Sequence, residues 1–140
     1  MKKLFCIFAF LAVVSLSARS QAIPAEMQQL ITELEDECRA DQNDEMKCGG
    51  IFVEGHDVVM VLVMDESKFD GMPLEDAFII AGVKSEDLAA EFKKEMLEDQ
   101  TEEAVKQRAM LKNYQYNLVI RMQGTPSGSK IDCRLNYQDL

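Results

Sequence analysis

The side chains in this chain that could do chemistry are four cysteines, one histidine and two clusters of carboxylates mixed with amides and serines. A nucleophilic or redox cysteine needs an activating neighbour or a Cys-x-x-Cys pair, and Cys6, Cys38, Cys48 and Cys133 show no such spacing. General acid-base catalysis needs a proton carrier in a cleft with an oriented partner, whereas His56 sits between Gly55 and Asp57 in a tight turn. One histidine without a close cysteine pair also makes a poor tetrahedral zinc site. Asp41 to Glu45 and Asp65 to Gly71 carry calcium-type oxygen ligands. An EF-hand loop needs glycine at its sixth position and a carboxylate at its twelfth. The first cluster has Met46 and Phe52 there, and the second has Asp70 in place of the glycine. Gly49-Gly50 precedes a strand and Gly124 to Gly128 joins two strands, so neither opens a helix that could cradle phosphate or present a nucleophilic serine. The sequence therefore predicts no catalytic residue, no cofactor and no metal site, with both acidic clusters serving as solvated turns.

Charge and composition narrow the class. The 140 residues carry 25 acids and 15 bases, a formal net charge of -10, which disfavours nucleic acid and anionic membrane surfaces as partners. A hydrophobic content of 47% is enough for a real core, which excludes a disordered acidic tail. Residues 1–22 read as a signal peptide: Lys2-Lys3, an apolar run from Leu4 to Val14, and a small-x-small end at Ser20-Gln21-Ala22. Cys6 lies too far from that end to carry a lipid tether. The leader holds Lys2, Lys3 and Arg19 and no acid, so residues 23–140, a single domain, carry a net charge of -13. The expected location is exported, periplasmic or secreted, with no membrane insertion after cleavage.

Periodicity places the elements. Met27, Leu30, Ile31, Leu34 and Cys38 form one stripe of a helix over 25–39, behind Pro24. A charged loop to Lys47 follows, and then two β runs, 51–54 and 57–64, separated by Gly55-His56, a type II′ hairpin signal. That turn pairs Val53 with Val58, Phe52 with Val59 and Ile51 with Met60. A short helix over 73–81 stops at Gly82, and Ser85 looks like the N-cap of the next. One long helix, or two with a break near Thr101, fills 86–112. Alternation over 116–123 and 131–137, around a Gly-Pro-Ser loop, gives a second hairpin. The fold class is α+β: an antiparallel sheet of about four strands, made of two hairpins, with helices packed on one face. This layout behind a signal peptide resembles that of small exported bacterial α+β domains, a resemblance that implies no functional residue.

Parity then separates two sheet faces. Ile51, Val53, Val58, Met60, Leu62 and Met64 make the core face. Phe52, Val59, Val61, Val63 and Val119 make an outer face more apolar than a solvated face requires. Either the N-terminal helix or a loop of the chain covers it, or a protein partner or second copy docks there, and these five residues are the candidate interaction face. Cys48 falls opposite Val63 on that outer face, which argues against a Cys48–Cys133 pair. The favoured disulfide is Cys38–Cys48, closing the charged loop, with Cys38–Cys133 or no bridge at all as the alternatives. The resulting reading is an exported, non-enzymatic binding domain acting through its sheet. The alternative is a small-ligand binder or enzyme with a site between helix and sheet.

Overall fold

The computed structural model describes residues 23–140, and the signal-peptide assignment, with Cys6, lies outside them. Helix α1 spans Ala25–Asp41 and turns Met27, Leu30, Leu34 and Cys38 inward, the stripe read from their spacing. Strands β1 (Met46–Glu54) and β2 (Asp57–Asp65) form the first hairpin, with the register set from the turn as predicted. Gly55 has a φ of 62°, as that turn type requires. A 3-10 turn, Glu66–Phe69, leads to α2 (Leu74–Ala81), α3 (Ser85–Glu98) and α4 (Glu102–Tyr114). Strands β3 (Asn117–Thr125) and β4 (Lys130–Leu135) complete the sheet, and a last 3-10 turn covers Tyr137–Asp139.

The sheet order is β1-β2-β3-β4. It is antiparallel within each hairpin and parallel where the hairpins meet, Val58 beside Leu118 and Leu62 beside Met122. A parallel pair needs a crossover connection, and the three helices between β2 and β3 supply it by returning the chain to the end where β2 began. Helices α1 and α3 pack against the outer strands β1 and β4 respectively. Core side chains Met27, Leu30, Val58, Leu74, Leu111 and Cys133 are 0–1% exposed and fill the space between helices and sheet.

Three local details differ from the sequence reading. Strand β1 begins at Met46, inside the expected charged loop, and Gly49-Gly50 is a bulge within it, where the register shifts between Cys48 and Gly50. Gly50 has a φ of 100°, open to glycine, and a Cβ on Gly49 would lie 2.7 Å from Val61 Cγ1. The bulge places Cys48 opposite Leu62 instead of Val63 and so turns it to the core face. Helix α3 starts at Ser85 with Lys84 as its N-cap, one residue before the expected cap.

The expected break near Thr101 separates α3 from α4, and Thr101 Oγ1 caps α4 by accepting from Ala104 N at 3.3 Å. Arg108, 8% exposed, donates from Nη1 to the carbonyls of Met96 and Asp99, closing the exposed end of α3. Arg108→Ala should therefore lower the stability by about 2 kcal/mol, read as a shift of the urea midpoint, because two carbonyls lose a charged donor.

Candidate functional site

The outer sheet face carries a small apolar cluster: Val59, Val61 and Val119, 1%, 9% and 2% exposed, with Val63 partly buried against them. Helix α1 packs on the opposite face, so the N-terminal helix is not their cover. Long side chains crossing the strands shield them instead. Arg134 stands beside Val119 on β4 and reaches across β3 to Asp57 on β2, with Nη1–Oδ1 2.6 Å and Nη2–Oδ2 2.8 Å. Arg121 on β3 pairs with Asp132 at 2.8 and 3.1 Å and crosses β2 to place its guanidinium 5.7 Å from the Phe52 ring centre on β1. The Arg134 hydrogen bonds, with Asn117 Nδ2 as a further donor, hold the Asp57 carboxyl below its ordinary range. Of the five residues of the candidate face, Phe52 is the exposed one, at 42%.

The other chemistry-bearing residues are settled by local geometry. Cys38 and Cys48 form a disulfide, Cα–Cα 5.6 Å, tying the end of α1 to β1. Cys133 is a free thiol, 0% exposed in the core, where burial pushes its pKa up and leaves it unreactive. His56 sits on the hairpin tip, its ring 5.2 Å from that of Tyr116, and its carbonyl accepts from Asn117 N. The acidic clusters act as turn caps: Asn43 Oδ1 accepts from Glu45 N and Met46 N, and Asp65 Oδ1 accepts from Ser67 N. Among the described residues no group of three His, Cys, Asp or Glu is placed to hold a metal ion.

The structure adds a surface that pattern reading passed over. Helix α2 buries Leu74 and half-buries Phe78, while Ile79 and Ile80, on its last turn, are 70% and 74% exposed. Val83, just beyond the Gly82 cap, is a further exposed apolar side chain. Phe78, Ile79, Val83 and Ile131 line an open cleft of about 280 Å³ between α2 and β4, with Glu75, Lys130 and Asp132 on its rim. Asp132 binds Arg121, which stacks on Phe52, so polar contacts continue from this cleft round β4 to the outer face. The signal was present in the sequence: 74–81 is apolar all round apart from Glu75 and Asp76, and a surface helix of that kind has a face with nothing in its own domain to pack on.

Glu66 holds α2 in place. It is 1% exposed, and its Oε2 accepts from Leu74 N at 2.7 Å and Ser127 Oγ at 2.5 Å, its Oε1 from Ser127 N at 2.7 Å. Ser129 Oγ accepts from the next helix amide, Glu75 N, at 2.9 Å. Pro73 offers no side-chain cap, so these two residues satisfy the first amides of α2. The Ser127 hydroxyl, then the two backbone N–H groups, hold the Glu66 carboxyl below its ordinary value against the opposing effect of burial. Gly124 leaves the room for it, since a Cβ there would stand 2.7 Å from Glu66 Cδ.

Fold and surface together define a small α+β domain with helices on one side of a four-stranded sheet, a bare Arg- and Asp-crossed face on the other, and an exposed apolar helix at one edge. No protein-family model matches the chain, and no curated protein matches it in sequence. Among solved structures, a Pseudomonas aeruginosa protein classed as secreted is similar in fold, with a TM-score of 0.51 at 12% identity over 81% of this chain and 92% of its own. A type 2 secretion system pilotin from Vibrio vulnificus gives a TM-score of 0.44 at 13% identity over 80% of this chain and 92% of its own. A Vibrio cholerae type II secretion system pilotin gives 0.37 at 11% identity over 81% of this chain and 98% of its own. Both pilotin overlaps are too loose to define a common fold.

Proposed function

We propose that this chain is an exported, non-enzymatic domain that binds another protein through a surface centred on Ile79 and Ile80 and continuing past Asp132 and Arg121 to Phe52. The observation that carries this reading is the exposure of those two isoleucines, 70% and 74%, side by side on a helix. Apolar surface of this kind costs solubility unless a partner covers it. Val59, Val61, Val63 and Val119 would then form a stiff floor beneath the Arg121 and Arg134 arms, with Phe52 the face's own contact.

Binding is favoured over catalysis by where the reactive groups sit. His56 lies at a hairpin tip with its ring tilted against Tyr116, the Cys133 thiol is buried, and Glu66 has both oxygens engaged by α2 and the 124–129 loop. The space between helices and sheet, where a ligand site would lie, is filled by Met27, Leu30, Leu74 and Leu111. Export is supported by the Cys38–Cys48 disulfide, a bond that persists in oxidising compartments. Among the described residues no helix is long and apolar enough to cross a membrane.

A photo-crosslinking residue at position 80, compared in producing cells with one at the exposed Glu91 on α3, tests the reading. A discrete protein adduct at 80 and none at 91 is the expected outcome, and an adduct of twice the chain's mass would identify a second copy as the partner. No adduct at 80, or the same pattern at both positions, would remove the docking surface.

A further inference from the structure

We infer that α2 is a releasable strap, an inference independent of the docking reading above: residues 72–83 detach and unravel as one unit while the sheet and the other helices stay folded. Side-chain oxygens of Glu66 and Ser129 form the latch. The first two amides of α2 donate to them, Leu74 N to Glu66 Oε2 at 2.7 Å and Glu75 N to Ser129 Oγ at 2.9 Å, across sequence separations of 8 and 54. Pro73 adds no side-chain cap. An eight-residue helix has no independent stability, since helices shorter than about 12 residues are marginal in water, so opening the latch unravels α2 and does not swing it as a rigid rod.

Little apolar contact opposes that step. Leu74 is the one fully buried side chain of α2, with Ala77 and Phe78 half-buried, and the helix rests on β4 and the 66–69 turn. Its last turn stands over an open cleft of about 280 Å³, between Phe78 and Ile79 on one side and Ile131 on the other. Both ends of the segment are turning points: Asp70 and Gly71 have φ of 58° and 74°, and Gly82 has 71°. Nothing lies within 4 Å of a Cβ at either glycine, so the chain can reorient there without displacing a neighbour. Helix α3 is held differently. It also buries no side chain completely, yet over fourteen residues it lays Leu88, Ala89, Phe92 and Met96 against the core, and Arg108 ties its C-terminal end to α4. The releasable unit therefore ends at the Gly82 cap. On release the Leu74 socket and Ile131 open to solvent and Ile79 and Ile80 cease to stand side by side, so the latch decides which apolar surface the chain presents.

Amide exchange of the native chain at low urea concentrations tests this. The amides of Ala77, Gly82 and Val83, hydrogen-bonded within α2 and its cap, should exchange through one shared opening. They should be at least about a hundredfold less protected than the central amides of β2 and β3, with a smaller urea dependence. Ser129→Ala, a half-buried loop position, should raise that opening about fivefold at all three amides and leave β2, β3 and α3 unchanged, and Ser129→Thr, which keeps the acceptor oxygen, should restore it. Protection equal to that of β2 and β3, unequal openings at the three amides, an opening shared with residues 86–98, or one indifferent to Ser129→Ala would each overturn the inference.

Discussion

Replacing Glu66 by glutamine should lower the melting temperature by about 5–10 °C and loosen α2 ahead of the sheet. The carboxylate accepts with both oxygens, from Ser127 N on one side and from Leu74 N and Ser127 Oγ on the other. Glutamine offers one acceptor oxygen, so whichever way its amide turns, an –NH₂ faces a backbone N–H in a place 1% exposed to solvent. When that N–H is Leu74's, the first turn of α2 loses its cap, and α2 has little else to hold it, since Leu74 is its one fully buried side chain. Thermal unfolding and amide exchange check this: exchange over 74–81 should rise while β2 and β3 stay protected. An unchanged melting temperature with unchanged α2 exchange would show that Glu66 does not hold the helix.

The same carboxyl sets a pH dependence. Its folded-state pKa lies below the ordinary 4.5, so the stability it contributes is complete above that value and is lost as pH falls through the lower folded-state value. Asp57, held down first by Arg134, acts with the same sign, whereas Glu37, raised first by partial loss of hydration beside Gln107 and further by the carboxylates of Glu103 and Asp41, acts with the opposite one. Glu66→Gln should therefore flatten the acid limb of the stability profile as well as lower its plateau.

The second large effect concerns the disulfide. Changing Cys38 and Cys48 to alanine together should cost about 3 kcal/mol, the loop-closure entropy of a cross-link spanning a loop of this length, with a larger urea m-value as the unfolded chain expands. Their sequence separation of 10 places the bond across the turn between α1 and β1, so it chiefly restricts the unfolded state. The bulge makes the bond geometrically accessible, because Gly50 at a φ of 100° lets Cys48 face Leu62 and the α1 side of the sheet. Gly50→Val opposes that conformation, and its cost should be smaller in the alanine double variant, where β1 is free to shed the bulge. Equal costs in both backgrounds would mean that bulge and disulfide are not coupled.

Much of this architecture was legible along the chain. The α1 stripe, the Gly55 turn with its register, the break at Thr101 and the alternation of β3 each rest on neighbours a few residues apart, where periods of 3.6 and 2 leave a mark. Parity also sorted Val58 from Val59 correctly. It failed at Cys48, because one inserted residue reverses every face beyond it, and two adjacent glycines read equally as the end of a loop or as a bulge. The parallel contact between the hairpins was hidden because strand direction depends on how the helical crossover closes.

The candidate surface divides in the same way. The apolar make-up of 74–81 is local, and so is the excess of acid over base. Whether Ile79 and Ile80 face inward or outward depends on how α2 is pinned, and that is set by Glu66 meeting Ser127, 61 residues away, in a gap that Gly124 leaves open. The valines posed the converse case. Their apolar run is visible in sequence, yet their shielding comes from Arg121 and Arg134, whose partners Phe52 and Asp57 lie two strands away. Elements follow from short-range sterics and periodicity, which the order of residues carries directly. Exposure and pairing follow from which distant side chains the closed sheet brings within a few ångströms, and that distance is not a property of the chain until it has folded.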